Sequence, residues 1–163
     1  MPPDFVAISG AAGFQQSNPS ALLAASLLGS LQLVTEAGGI AALRAKSIRL
    51  TGYLESLLLR SKHFVRSETL SSDERKTRFT IITPQNPEER GAQLSLLWPE
   101  GQGVVQRVFG EMRRRGVLGD EREPDVIRLS PASLYNSFVD CEKAANVLEE
   151  VLDIVAVSKA IDH

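Results

Sequence analysis

Two places in the chain bring together residue types suited to gripping an anion. The first is Ser17-Asn18-Pro19, which stands between the glycine-rich turn at Gly10 to Gly13 and a long apolar run. Pro19 suits a first helical position because it lacks only an N–H that would have gone unpartnered, and Ser17 or Asn18 can cap the free amides that follow. A helix begun in this way turns unsatisfied donors and the positive end of its dipole toward whatever sits in front of it. The same residues also make an ordinary capped helix, and local chemistry leaves both readings open. The second place is Arg128, a guanidinium inside the short run Val126-Ile127-Arg128-Leu129 that Ser130-Pro131 closes. Its planar fork matches a carboxylate bidentately, although an arginine in such a strand can equally point to water.

Other reactive side chains lack a supporting context. His63 follows Lys62 in an expected loop and His163 is the last residue, so both are expected to face solvent, and no metal cluster is supported. Cys141 falls on an apolar stripe and reads as a packed thiol. Asp120, Glu121, Glu123 and Asp125 interleave with Arg122 and Pro124, which suggests a solvated turn. No phosphate-loop or dinucleotide fingerprint is present. Arg113-Arg114-Arg115 reads as cations complementing the end of a helix dipole.

The totals bound the rest. With 163 residues, 43% hydrophobic and 23% charged, the chain has the content of an ordinary globular protein with room for one core. A formal net charge of −2 gives no broad reason to seek nucleic acid as a partner. One cysteine excludes an intramolecular disulfide framework, and the cytoplasm is the expected compartment. The Leu-rich run from Ala21 to Val34 is broken by Ser26, Gly29, Ser30 and Gln32, so no membrane span is expected. The opening MPPDFVAIS does not read as a secretory or transit signal, and its abrupt start suggests the tail of something longer.

These candidates need elements to hold them. Phe5, Val6 and Ile8 suggest a strand into the Gly10 turn, then a helix from Pro19 to Glu36 ended by Ala37-Gly38-Gly39. A second helix follows from Ile40 to Ser61, with Ile40, Leu43, Leu50, Leu54, Leu57 and Leu58 on one face. The Ser-rich, charged stretch from Phe64 to Thr77 reads as a mobile loop. Phe79 to Thr83 and Gln93 to Trp98 read as strands that pair antiparallel. Val104 to Arg115 is an amphipathic helix with Gly116 beyond its end. Short strands are expected at Val117-Leu118 and Val126 to Leu129, separated by a charged turn from Gly119 to Pro124. A last helix begins near Ser137, with Asp140 as a capping-box acid and Phe138, Cys141, Ala145, Leu148, Leu152 and Val155 as its stripe. This order predicts an α+β fold with helices on one face of a mostly antiparallel sheet.

GAAGFQQSNPS, EAGGIAALRAKSIRLTGYLE, FTIITPQNPEERGAQLS and REPDVIRLSPASLYNSF, in this order and spacing, resemble the C-terminal part of kynureninase. That family consists of fold-type-I hydrolases that depend on pyridoxal 5'-phosphate. The sequence departs from the family at Ala92 and Gly119, where cysteine is frequent, and at Val139, where histidine is. The resemblance implies that residues 1–36 are a lead-in strand, turn and connecting helix, and that 37–163 form the small C-terminal domain.

The family's cofactor-bearing lysine, the acid facing the pyridine nitrogen and the aromatic over the cofactor ring all lie upstream of the segment resembled. Lys46, Lys62, Lys76, Lys143 and Lys159 do not match that lysine's motif. The resemblance assigns Asn18 to the cofactor phosphate, Ser17 to the neighbourhood of the substrate's aromatic ring and Arg128 to the substrate α-carboxylate. It implies a homodimeric complete enzyme that cleaves L-kynurenine or 3-hydroxykynurenine to an anthranilate and alanine, in tryptophan catabolism and NAD biosynthesis. The chain alone is then expected to be inactive. A non-catalytic truncated paralogue serving as a binding or dimerisation module, and a split enzyme completed by a second chain, are the alternatives.

Overall fold

The computed structural model describes residues 6, 8–15, 17–66, 78–99 and 103–161, with side chains as far as 156. The chain divides into two compact units, Met1–Ile40 and Ala41–His163. Among the described residues, no single helix is long and apolar enough to cross a membrane.

In the first unit, a 3-10 turn spans Ala11–Phe14 behind Gly10, whose φ of 77° a side chain would disfavour. Phe5 of the expected leading strand lies outside the described residues. Val6 and Ile8 are exposed and carry no strand pairing. Helix α1 runs Ala21–Glu36, two residues later than expected. Its end follows the Gly signal, with the N–H groups of Ala37 and Gly38 closing on the carbonyls of Leu33 and Thr35 at 3.0 Å. None of its residues is buried, and Leu22, Leu23, Leu27, Leu28, Leu31 and Leu33 are all exposed.

Helix α2, Gly39–Leu58, begins the second unit's architecture and presents Ser47, Leu50, Thr51, Leu54 and Leu58 to the core. This is the three-and-four spacing of a single helix face. Ile40, expected on that face, is exposed. The sheet that follows holds β1 (Thr80–Ile81), β2 (Leu94–Leu97), β3 (Asp120–Arg122) and β4 (Val126–Leu129) in the order β1-β2-β4-β3, with every pair antiparallel. Between β2 and β3 lies α3, Val104–Arg114, and after β4 comes α4, Phe138–Ile161.

Leu94 faces Leu129 and Leu96 faces Ile127 across β2 and β4, and all four are buried. Because side chains alternate along a strand, Ser95 and Arg128, also partners, fall on the opposite side. The apolar side joins α2, Val104, Val105, Val108 and Met112 of α3, and Cys141, Leu148, Leu152 and Val155 of α4 in one buried cluster. Trp98 and Phe79 anchor its edge, with ring centroids 5.6 Å apart. The fold is therefore α+β with helices against one face of an antiparallel sheet.

Three local expectations change. Val117-Leu118 is not a strand. The N–H of Gly116 bonds to Arg113 O, and that of Val117 reaches back to Met112 O, both at 3.0 Å. With Gly116 at φ 81°, this is a Schellman closure, and it occupies the backbone that a strand would need. The strand instead begins at Asp120, inside the expected charged turn, because β4 supplies the pairing partner. Lastly, Phe64 and Val65 do not belong to a surface loop: Val65 N–H bonds to Phe79 O, and Phe79 N–H to His63 O, at 3.0 Å each. Residues 67–77 lie outside the description.

Candidate functional site

Arg128 stands on the polar side of the sheet, one strand in from the edge. Its neighbours there are set by register: Ser95 on β2 and Asp120 on β3. An Nη2 donor of Arg128 is bonded to Asp120 Oδ2. The same carboxylate oxygen lies 3.1 Å from Arg122 Nε, so one acid serves two guanidiniums. The cluster of Asp120, Arg122 and Arg128 thus keeps one positive charge. Arg128 Nε is buried and has no hydrogen-bond partner among the described residues.

On the Ser95 side the surface is polar and organised. Ser95 donates its N–H to Thr83 Oγ1 at 2.8 Å, and Gln93 Nε2 donates to Ser95 Oγ at 3.1 Å. A guanidinium with an unsatisfied buried donor, in a cluster that as a whole keeps one net positive charge, is suited to a carboxylate. The Arg128 side chain is 29% exposed on that face and is tied to Asp120.

Ser17 and Asn18 lie in the first unit, before α1, and both are exposed. The capping expected of them is not what is found. Ser20 is the N-cap, in extended conformation, and its side chain makes no cap hydrogen bond. A residue before proline is disfavoured from helical geometry, which fits a helix that begins only after Pro19. The first helical bond runs from Ala24 N–H to Ser20 O at 3.0 Å, which leaves the N–H groups of Ala21, Leu22 and Leu23 without a helical acceptor. These amides and the Asn18 carboxamide are donors of the kind a phosphate takes.

The reactive groups outside these places behave differently from expectation in one case. His63 is buried, not solvent-facing, and its Nε2 meets Asp153 Oδ1 at 2.8 Å. Lys62 donates to the same carboxylate, at 2.9 Å to Oδ2. That hydrogen bond raises the Lys62 ammonium above its ordinary value, and the two partners hold Asp153 below its own. His163 lies outside the described residues. Cys141 is buried, 3.8 Å from Leu50 O, and burial pushes its thiol up, which suits packing rather than attack.

A cavity of about 330 Å³ opens beside the end of β4, walled by Leu54, Leu118, Leu129, Pro131, Asn136 and Cys141 among others. Arg128 is not in its walls, because it faces the other side of the strand from Leu129. The cavity therefore belongs to the apolar side and not to the arginine cluster.

Residues 43–148 match the family model of the kynureninase C-terminal domain. The chain is 47% identical over 156 residues to the kynureninase of Eremothecium gossypii, covering 93% of this chain and 34% of that protein. It is 46% identical over 154 residues to the kynureninase of Yarrowia lipolytica, covering 93% and 35%. To kynureninase 1 of Chaetomium globosum it is 45% identical over 157 residues, covering 96% and 30%. The chain spans about a third of the length of these curated relatives and matches their C-terminal part.

Proposed function

The chain belongs to the kynureninase family, as its C-terminal domain, and from that premise we propose that it forms the C-terminal part of an enzyme that hydrolyses L-kynurenine or 3-hydroxykynurenine. The products are anthranilate or 3-hydroxyanthranilate and L-alanine, within tryptophan catabolism, and the complete enzyme is a homodimer. The observation that carries this reading is identity above two fifths across more than nine tenths of the chain, with relatives that share one name.

Two separate places in the chain, one in each unit, carry groups suited to a pyridoxal 5'-phosphate enzyme. Asn18 and the open amides of α1 would hold the phosphate, with Ser17 near the substrate ring. When bound, the cofactor supplies the electron sink for breaking the carbon–carbon bond. Arg128 would fix the substrate by its α-carboxylate and so align the bond to be broken, while the Ser95 and Thr83 hydroxyls keep that side of the sheet polar. The covalent anchor belongs to the part of the enzyme that this chain does not match. Lys62, for one, is poorly suited to the role: an amine that attacks must first lose its proton, and the Asp153 bond makes that harder.

The test is reconstitution. This chain, mixed with the N-terminal two thirds of the Eremothecium gossypii enzyme and pyridoxal 5'-phosphate, should release alanine from kynurenine, whereas either part alone should not. Visible-range cofactor absorbance or turnover from this chain alone would overturn the assignment of the anchor to the other part.

A further inference from the structure

We propose that Asp120 is a positioning residue for Arg128: it holds the guanidinium across the β3–β4 pair so that the remaining donors stand ready for one carboxylate. This rests on the reading of Arg128 as the substrate's carboxylate anchor and adds the residue that aims it. The contact is built into the backbone, because Asp120 and Arg128 are register partners on adjacent strands. Sheet pairing, not a loop, fixes where the acid stands.

The donor inventory points the same way. Arginine carries five N–H donors in a rigid fork. Asp120 engages Nη2 only, and Nε is left buried without an acceptor among the described residues. The open Nε marks a guanidinium that its protein partners leave under-satisfied, and an incoming anion meets the exposed part of that fork, the side chain being 29% exposed. Free arginine side chains lose considerable rotamer freedom on binding, and a partner that fixes the fork beforehand removes that cost from the binding step.

Asp120 also repels a carboxylate, and the outcome depends on which effect is larger. Arg122 decides it. Its Nε sits 3.1 Å from the same Asp120 oxygen, so the acid's charge is shared and the trio stays net positive. Glu121 lies on the other side of β3 by alternation, paired in register with Ile127. Orientation is therefore gained while the attraction for one monoanion is kept.

The experiment uses the ¹⁵N-labelled 163-residue chain and acetate as the probe. The Arg128 Nε–H resonance is assigned by its loss in Arg128→Lys. In the wild type it should exchange slowly and shift as acetate is added. In Asp120→Asn its solvent exchange should be about tenfold faster, and half-saturation should need about fivefold more acetate. Asp120→Ser should give the same losses, so that the outcome does not hang on one replacement's folding, which circular dichroism checks. Acetate affinity that is equal or tighter in both variants overturns the positioning role. A wild-type resonance that ignores acetate, while still being protected by Asp120, overturns instead the reading of Arg128 as a carboxylate anchor. In the reconstituted enzyme the same substitution should raise KM about fivefold with kcat nearly unchanged. An unchanged KM there, with KM raised by Arg128→Ala, sinks the role of Asp120 alone.

Discussion

Arg90 donates both of its Nη groups to the two carboxylate oxygens of Glu55, at 2.8 and 2.6 Å, and Nη1 also reaches Pro84 O at 3.1 Å. The two side chains are 4% and 15% exposed. The pair ties the middle of α2 to the turn that feeds β2, and so fixes the strand that carries Ser95 beside Arg128. Breaking it from one side leaves a desolvated charge behind, so Glu55→Ala should cost about 3 kcal/mol in urea unfolding. Replacing both residues by apolar ones of similar size should recover most of that loss. A double-mutant cycle showing no coupling would remove the pair from the fold's supports.

Gly119 bears directly on the arginine cluster. A Cβ at this position would meet Arg128 O at 3.0 Å and a Leu129 methyl at 3.2 Å. The carbonyl belongs to a strand paired on both sides, so it cannot yield without moving β4. Gly119→Ala should therefore destabilise the chain by about 1–2 kcal/mol and displace the Arg128 side-chain resonance. Unchanged stability and an unmoved Arg128 signal would show that the strand does yield.

The start of α4 makes a pH-dependent contribution. Asp140 accepts from both the N–H and the hydroxyl of Ser137, at 2.7 and 2.8 Å, while its own N–H returns to Ser137 Oγ at 3.3 Å. The backbone bond from Ser137, then the hydroxyl, holds the Asp140 carboxyl below its ordinary 3.8. A carboxyl depressed in the folded state adds stability above its unfolded value and loses it as pH falls through the folded one. The stability gap between wild type and Asp140→Asn should thus be constant at neutral pH and narrow below about pH 4. Ser137→Ala should cost about 1 kcal/mol at neutral pH. A gap that widens on acidification contradicts the assignment.

What the sequence made legible was local. The stripe on α4 from Cys141 onward, its Ser137–Asp140 box and the Arg-Gly ending of α3 follow local spacing, and period and capping read them, whereas Phe138 of that stripe is exposed and Val151, off it, is buried. The strand β3 was hidden because Asp120-Glu121-Arg122 has no apolar alternation, and its existence depends on a partner strand rather than on its own composition. His63 reads as solvent-facing in the sequence because its partner Asp153 is 90 positions away. Glu55 and Arg90 stand 35 apart, with no pattern joining them. Of the site, Arg128 could be singled out by its fork. Asp120 could not, since only the register of an unforeseen hairpin puts the two opposite each other.

That register sharpens the last expectation. If the Arg128 fork holds a substrate carboxylate through two aligned donors, then lysine, a point charge on a flexible stem, is not a substitute for it. In the complete enzyme reconstituted with this chain, Arg128→Ala should weaken kynurenine binding by more than about tenfold. Arg128→Lys should recover only a small part of that loss, because the ammonium keeps the attraction but not the planar geometry. The effect should appear in KM and kcat/KM, and should vanish for an inhibitor that has the aromatic ketone and amine of kynurenine but no carboxylate. A penalty of equal size for that inhibitor would mean that Arg128 supports the sheet rather than the substrate. Since Asp120 would then be left to balance Arg122 alone, stability measured beside KM separates the two cases: a structural arginine lowers the unfolding midpoint in proportion to activity, and an anchoring one does not.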